Sequence, residues 1–263
     1  MEYPTRVGKD DSHNDTIISQ FSKQAIPFAK MSQHSNQYGL ELMLKLSDPK
    51  KNDRVLDVAC GPGIVGCEFA KMVSKVTGID LTPAMIEQAR TLQKERNVEN
   101  IDWRIGDVSN LPFDDSSFSL VVTRYSLHHM IEPKTVLKEM KRVCIPGGRV
   151  LVIDVTPEED KSDAYNHVER LRDPSHTNAL TFNELKRIME DTGLVDIRTE
   201  HHDLEMELEH ILHSSFPNSQ DKDRIKQLFK EDIIRNNLGM RSHLRGDQIF
   251  FYFPISMILG FKT

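Results

Sequence analysis

The sequence predicts an α/β protein built on a doubly wound, mostly parallel sheet, and three observations carry that expectation. From residue 54 onward, short apolar runs alternate with longer amphipathic stretches, the rhythm of strands joined by crossover helices. Runs such as Val55-Leu56-Asp57-Val58 and Val150-Leu151-Val152-Ile153 are nearly continuous in apolar residues, as strands covered on both faces require. A chain of 263 residues is long enough for one large domain of this kind with an appendage.

The elements follow in order. Thr16 to Lys30 reads as an amphipathic helix broken near Pro27, and a second helix spans about Tyr38 to Leu46. Asp48-Pro49-Lys50-Lys51-Asn52-Asp53 is a turn. Strands are expected at Arg54–Ala59, Val76–Ile79, Ile101–Ile105, Ser119–Thr123 and Val150–Val155, with helices at Val65–Val73, Pro83–Arg96 and Pro133–Val143 between them. Pro146-Gly147-Gly148 turns the chain back into the sheet. Thr181-Phe182-Asn183-Glu184 has the form of a capping box opening a helix that Gly193 closes. Val195–Thr199 is a sixth strand, and the charged stretch from Asp203 to Arg245 reads as helical. Pro254 lacks the N–H of a central strand residue, so the last strand is expected after it, at Ile255–Phe261.

Composition narrows the function. The formal net charge is −6 and no basic stripe is evident, which disfavours nucleic acid as a partner. Three scattered cysteines, Cys60, Cys67 and Cys144, make neither a disulfide framework nor a CxxC zinc pair. The opening Met1-Glu2-Tyr3-Pro4 lacks the charged start and apolar run of a secretory signal, and the apolar segment Ile249–Phe261 is too short to span a membrane. A cytoplasmic protein is expected.

The strongest motif is Val55-Leu56-Asp57-Val58-Ala59-Cys60-Gly61-Pro62-Gly63-Ile64-Val65-Gly66. A buried strand runs into G-x-G-x-x-G and then a helix, the context in which such a loop lets a ligand approach the main chain. Asp80 ends the second strand, where a carboxylate can accept from both hydroxyls of an adenosine ribose. Thus far a nicotinamide dinucleotide and S-adenosylmethionine (SAM) fit equally well. Asp57, just ahead of the glycines, would repel a pyrophosphate but attract the cationic amino group and sulfonium of SAM. Gly106-Asp107-Val108 follows the third strand and can meet an adenine amino group, and Asn110-Leu111-Pro112-Phe113-Asp114-Asp115-Ser116-Ser117-Phe118 leads into the fourth.

On these motifs, from Arg54 to about Val155, the sequence resembles the class I SAM-dependent methyltransferases of the ubiquinone/menaquinone-biosynthesis (type 11) branch. The resemblance implies a Rossmann-like sheet of seven strands whose last strand is antiparallel and lies between the fifth and sixth. It implies SAM as cofactor, S-adenosylhomocysteine as product, and a small-molecule methyl acceptor, possible acceptors including aromatic or quinone-like molecules. Carried over by position, Gly61 and Gly63 flank the methionine part and Asp57 its amino group. Asp80 takes the ribose, Leu81 and Met85 border the adenine, and Asp107 and Val108 meet its edge. Thr123 and Arg124 end the fourth strand beside the methionine moiety. Gly61-Pro62-Gly63 departs from relatives that carry Thr or Ser between the glycines. The chain then divides into an N-terminal helical lid (1–47), a SAM-binding core (48–202), a helical insertion that helps cover the substrate (203–247) and a final core strand (248–263).

For the acceptor side, His128 and His129 lie just past the fourth strand, where histidine can take a proton or simply pack at the next helix. Arg170, Asp173 and His176, with Pro174 and Ser175, form a polar segment after the fifth strand that either orients substrate or is a plain loop. Tyr165 and His167 belong to the same region, and Phe28 sits on the lid helix. His201, His202, His210 and His213 invite a metal reading, but no further ligand stands at sensible spacing, so no metal is expected. Glu205, Glu207 and Glu209 read as a wet helix face. Two other functions fit the glycine loop less well: an NAD(P)-dependent oxidoreductase, and a SAM-binding protein without catalysis.

Overall fold

A computed structural model describes residues 9–35 and 37–263; Met1 to Pro4, read above for a secretory signal, lie outside the described residues. Helices α1 (Lys9–Ser35) and α2 (Gln37–Ser47) precede β1 (Arg54–Val58), α3 (Ile64–Ala70), β2 (Lys75–Asp80), α4 (Pro83–Glu95) and β3 (Ile101–Ile105). The chain continues through β4 (Phe118–Arg124), α5 (Pro133–Val143), β5 (Cys144–Val155), α6 (Ser162–Arg172) and α7 (Phe182–Asp191). It closes with β6 (Leu194–Glu207), α8 (Leu208–Ser215), α9 (Ser219–Arg235), β7 (His243–Arg245) and β8 (Gln248–Lys262).

The sheet order is β3-β2-β1-β4-β5-β8-β6, with the short β7 paired to β8 as an eighth strand. The first five strands are mutually parallel, and β8 enters antiparallel between β5 and β6. Side chains alternate between two cores. Val55, Leu120, Val122, Leu151 and Ile153 face the side covered by Phe69, Tyr165 and Phe229. Leu56, Val121, Val150 and Val152 face Leu137, Met140 and Met189 on the other. Burial on both faces explains why these strands read as continuous apolar runs.

Five expectations need correction. Helix α1 does not break at Pro27 but runs through it to Ser35; proline removes one backbone donor, and contacts along the helix hold the remaining turns. Of the polar segment after β5, Arg170 lies on a helix, Ser162–Arg172, while Asp173, Pro174, Ser175 and His176 lie in the loop that follows it. Strand β5 begins at Cys144, and Phe118 opposite Cys144 is followed by Leu120 opposite Arg149, so Pro146-Gly147-Gly148 lies in a bulge of that strand. Strand β6 extends to Glu207, which puts Glu205 and Glu207 on a strand and only Glu209 on a helix. Finally, β8 runs straight through Pro254. The Pro254 carbonyl accepts from the Thr156 N–H at 2.8 Å, one residue past the end of β5. A strand residue points its N–H and C=O to the same side, so the missing N–H faces a flank where β5 has already ended.

The Thr181 capping box forms as expected, with the Thr181 N–H donating to Glu184 Oε2 at 2.8 Å. Among the described residues no helix is long and apolar enough to cross a membrane.

Candidate active site

At the carboxyl ends of β1, β2, β3 and β4 a cavity encloses about 950 Å³ including its open mouth. The place follows from the topology, since β1 is where the strand order reverses direction. Its wall includes Asp57, Gly61, Asp80, Leu81, Met85, Asp107, Val108 and Arg124, and α1 closes it with Asn14, Ile17, Phe21 and Phe28. Two residues expected there are not on the wall. Gly63 faces inward: a Cβ on it would lie 2.7 Å from the Trp103 ring, and its φ is +82°. Thr123 is buried beneath, donating to the Val58 carbonyl at 2.8 Å and so tying β4 to β1.

The carboxylates are held by backbone donors. Asp80 accepts from the Gly61 N–H on one oxygen and the Thr82 N–H on the other, both at 2.8 Å. Burial raises its pKa despite those two donors. Asp57 accepts from the Gly66 N–H at 2.9 Å. Burial, with a smaller push from Asp80, raises its pKa to about 8. Asp107 lies at the exposed rim, where Ser109 donates both its N–H and its hydroxyl at 2.8 Å. A Cβ on Gly61 would meet nothing, so the loop leaves open space beside Asp80.

A second cavity of about 740 Å³ adjoins the first, and both are lined by Phe21, Phe28, Arg124, Tyr125 and His129. His128 and Asp173 line the second cavity, and Phe28 lies on the shared wall. Arg170 and His176 do not reach either one. Arg170 is exposed and donates to the Thr177 carbonyl at 3.1 Å. His176 is packed behind the site with Nε2 2.7 Å from Asn166 Oδ1, and burial drives its pKa strongly down.

The two adjacent histidines are shifted in opposite directions. His128 Nδ1 lies 2.5 Å from Asp154 Oδ1. Burial opposes its charge, but the Asp154 charge and hydrogen bond outweigh that, and its pKa rises above the ordinary 6.5. His129 Nδ1 sits 3.1 Å from both the carbonyl and the hydroxyl of Ser175. Burial and the His128 charge lower its pKa to about 3, so it is neutral. Asp154, Tyr165, Glu169 and Arg172 were not predicted as functional, apart from Tyr165's regional mention. A usable signal existed for Asp154, an acid near the end of a buried strand, just as Asp80 is. Among the described residues no group of three or more His, Cys, Asp or Glu could hold a metal ion.

The type 11 methyltransferase domain matches residues 56–152. The chain is 29% identical over 251 residues to the uncharacterized methyltransferase YcgJ of Bacillus subtilis, covering 94% of this chain and 99% of that one. The crystal structure of YcgJ superposes with a TM-score of 0.80 at 26% identity, over 86% of this chain and 99% of that one. A ubiquinone/menaquinone biosynthesis C-methyltransferase of Bdellovibrio bacteriovorus is 35% identical over 150 residues, which is 54% of this chain and 63% of that protein. The chain thus carries a methyltransferase domain at residues 56–152 and is similar along nearly its whole length to the methyltransferase YcgJ.

Proposed function

We propose that the first cavity binds SAM and the second a small-molecule acceptor, and that the shared wall at Arg124, Tyr125 and His129 is where the two ligands meet. The adjacency of the two cavities carries this reading. The donor set suits SAM. Asp57 is a buried carboxyl that a cationic amino group would ionise, and Asp80 offers two pre-oriented oxygens to a ribose diol. Asp107 and Val108 share the cavity wall with Leu81 and Met85, and this group suits an adenine ring. Three acids and a single arginine on the wall argue against a dinucleotide pyrophosphate. Bound SAM supplies an electrophilic methyl group.

The chain's own contribution is mainly positioning, since alignment alone is worth roughly 7–11 kcal/mol. Helix α1, part of the lid at 1–47, keeps water from both cavities through Phe21 and Phe28, and from the first through Ile17 as well. Within 203–247, α8 adds Ile211 to the wall of the acceptor cavity beside α1. With Nδ1 engaged by Asp154, His128 offers Nε2 to take a proton from an acceptor that must lose one. Calorimetric titration with SAM, S-adenosylhomocysteine, NAD and NADP tests the reading. Saturable binding of the first two alone is expected; binding of a nicotinamide cofactor instead would overturn it.

A further inference from the structure

We propose that the second cavity takes a neutral, largely apolar acceptor and recognises it through one hydroxyl or carbonyl oxygen that pairs with the Tyr165 phenol. This rests on the reading of that cavity as the acceptor side. Tyr165 is fully buried on the cavity wall, yet its hydroxyl finds no hydrogen-bond partner among the described residues. A buried hydroxyl left unpaired is costly, and a ligand oxygen on the cavity side would satisfy it.

Of the cationic groups deep in the cavity, His128 and Arg172 are each paired with an acid. His128 pairs with Asp154 at 2.5 Å. Arg172 spends Nε and Nη2 on the two Glu169 oxygens at 2.9 and 2.5 Å, and Nη1 on the Ser215 hydroxyl at 2.7 Å. Asp173 accepts from Ser175 at 2.5 Å and from Gln24 at 3.1 Å. The Arg124 guanidinium, on the wall shared with the first cavity, lies over the Tyr125 ring at 4.3 Å. An anionic ligand would therefore lose its water while both deep cations are already paired. The remaining wall is apolar, with Val155, Leu204, Met206, Ile211, Phe253 and Ile255. That composition suits a hydrocarbon or aromatic body with few polar atoms.

The test is equilibrium dialysis of the full chain, with and without saturating S-adenosylhomocysteine, against 2-naphthol, 2-methylnaphthalene and 2-naphthoate. The expected result is that 2-naphthol binds at least tenfold more tightly than either of the others. Tyr165→Phe should erase its advantage over 2-methylnaphthalene while leaving the binding of 2-methylnaphthalene unchanged. Leu204→Trp, which fills the cavity, should abolish binding of all three while S-adenosylhomocysteine still binds. Tighter binding of 2-naphthoate would overturn the neutrality. A 2-naphthol preference that survives Tyr165→Phe would overturn the role of Tyr165, and unaltered binding to Leu204→Trp would remove the cavity from the account. If Tyr165→Phe does not fold, the probe ranking and Leu204→Trp decide. Failure of S-adenosylhomocysteine to bind the wild-type chain would instead defeat the cofactor reading, and the dialysis without it would still judge the cavity.

Discussion

His128 and Asp154 meet at 2.5 Å between Nδ1 and Oδ1, and the contact joins the end of β5 to the turn that follows β4. The other Asp154 oxygen accepts the Leu127 N–H at 2.8 Å, so one carboxylate sets both the backbone of the turn and the tautomer of its histidine. If His128 takes a proton from the acceptor, kcat should rise with pH through a value above 6.5, because Asp154 raises that pKa against the opposing effect of burial. Asp154→Asn should move this limb to lower pH and lower kcat by about 10²-fold. A limb that stays in place would remove His128 from proton transfer. The stability this histidine gains from Asp154 is present below 6.5 and lost as pH rises through its raised pKa.

Binding of S-adenosylhomocysteine should be coupled to Asp57. Burial keeps its carboxyl protonated up to about pH 8, and a ligand ammonium requires it ionised. Calorimetry at pH 7 in two buffers of different ionisation enthalpy should report release of nearly one proton. Affinity should fall toward tenfold for each pH unit below 8, about 1.4 kcal/mol per unit. Because the folded pKa is raised, the free protein should lose stability from this group as pH climbs from about 4 through 8. Asp57→Asn should abolish the proton release; an affinity flat from pH 6 to 9 in the wild type would contradict the coupling.

The glycines around Trp103 have a packing role that can be separated from ligand binding. A Cβ on Gly78 would lie 2.2 Å from the indole, which is fixed by its Nε1 donating to Gln93 Oε1 at 2.7 Å. Gly78→Ala should cost about 1–3 kcal/mol of stability, measured by denaturant unfolding followed through this single tryptophan. Gly61→Ala meets open space, with φ +51°, so its stability loss should be about 1 kcal/mol while cofactor affinity falls further.

Helix α1 is fastened by buried glutamines. Gln20 donates to the Ser215 carbonyl at 2.6 Å, and Gln24 to Asp173 at 3.1 Å. The double variant Gln20→Ala/Gln24→Ala should speed hydrogen exchange in α1 and weaken S-adenosylhomocysteine binding about tenfold or more, with exchange in the central strands unchanged. Equal protection of α1 in variant and wild type would count against its closing over the cavities.

Thr181→Ala removes one half of the capping box and should destabilise the fold by about 1 kcal/mol, read from thermal unfolding, without touching either cavity.

Sequence alone determined the parallel core, the glycine loop and the acids at the ends of β1, β2 and β3, because each is written in consecutive residues. A buried strand shows its apolar run, and a turn shows its glycine, within a window of about ten residues. What tertiary structure decided involves partners far apart in the chain. Gly63 and Gly61 are alike as letters, yet Trp103, folded back from β3, makes one a packing position and leaves the other facing the cavity. Pro254 is tolerated because β5 stops at Val155, which nothing near residue 254 reveals. The second cavity draws on β4, β5, α1, α6, β6, α8 and β8 together. Asp154 and Tyr165 acquire their importance only when His128 and an apolar chamber are brought against them. Local order follows from local sequence; the state of a buried polar group depends on every element packed around it.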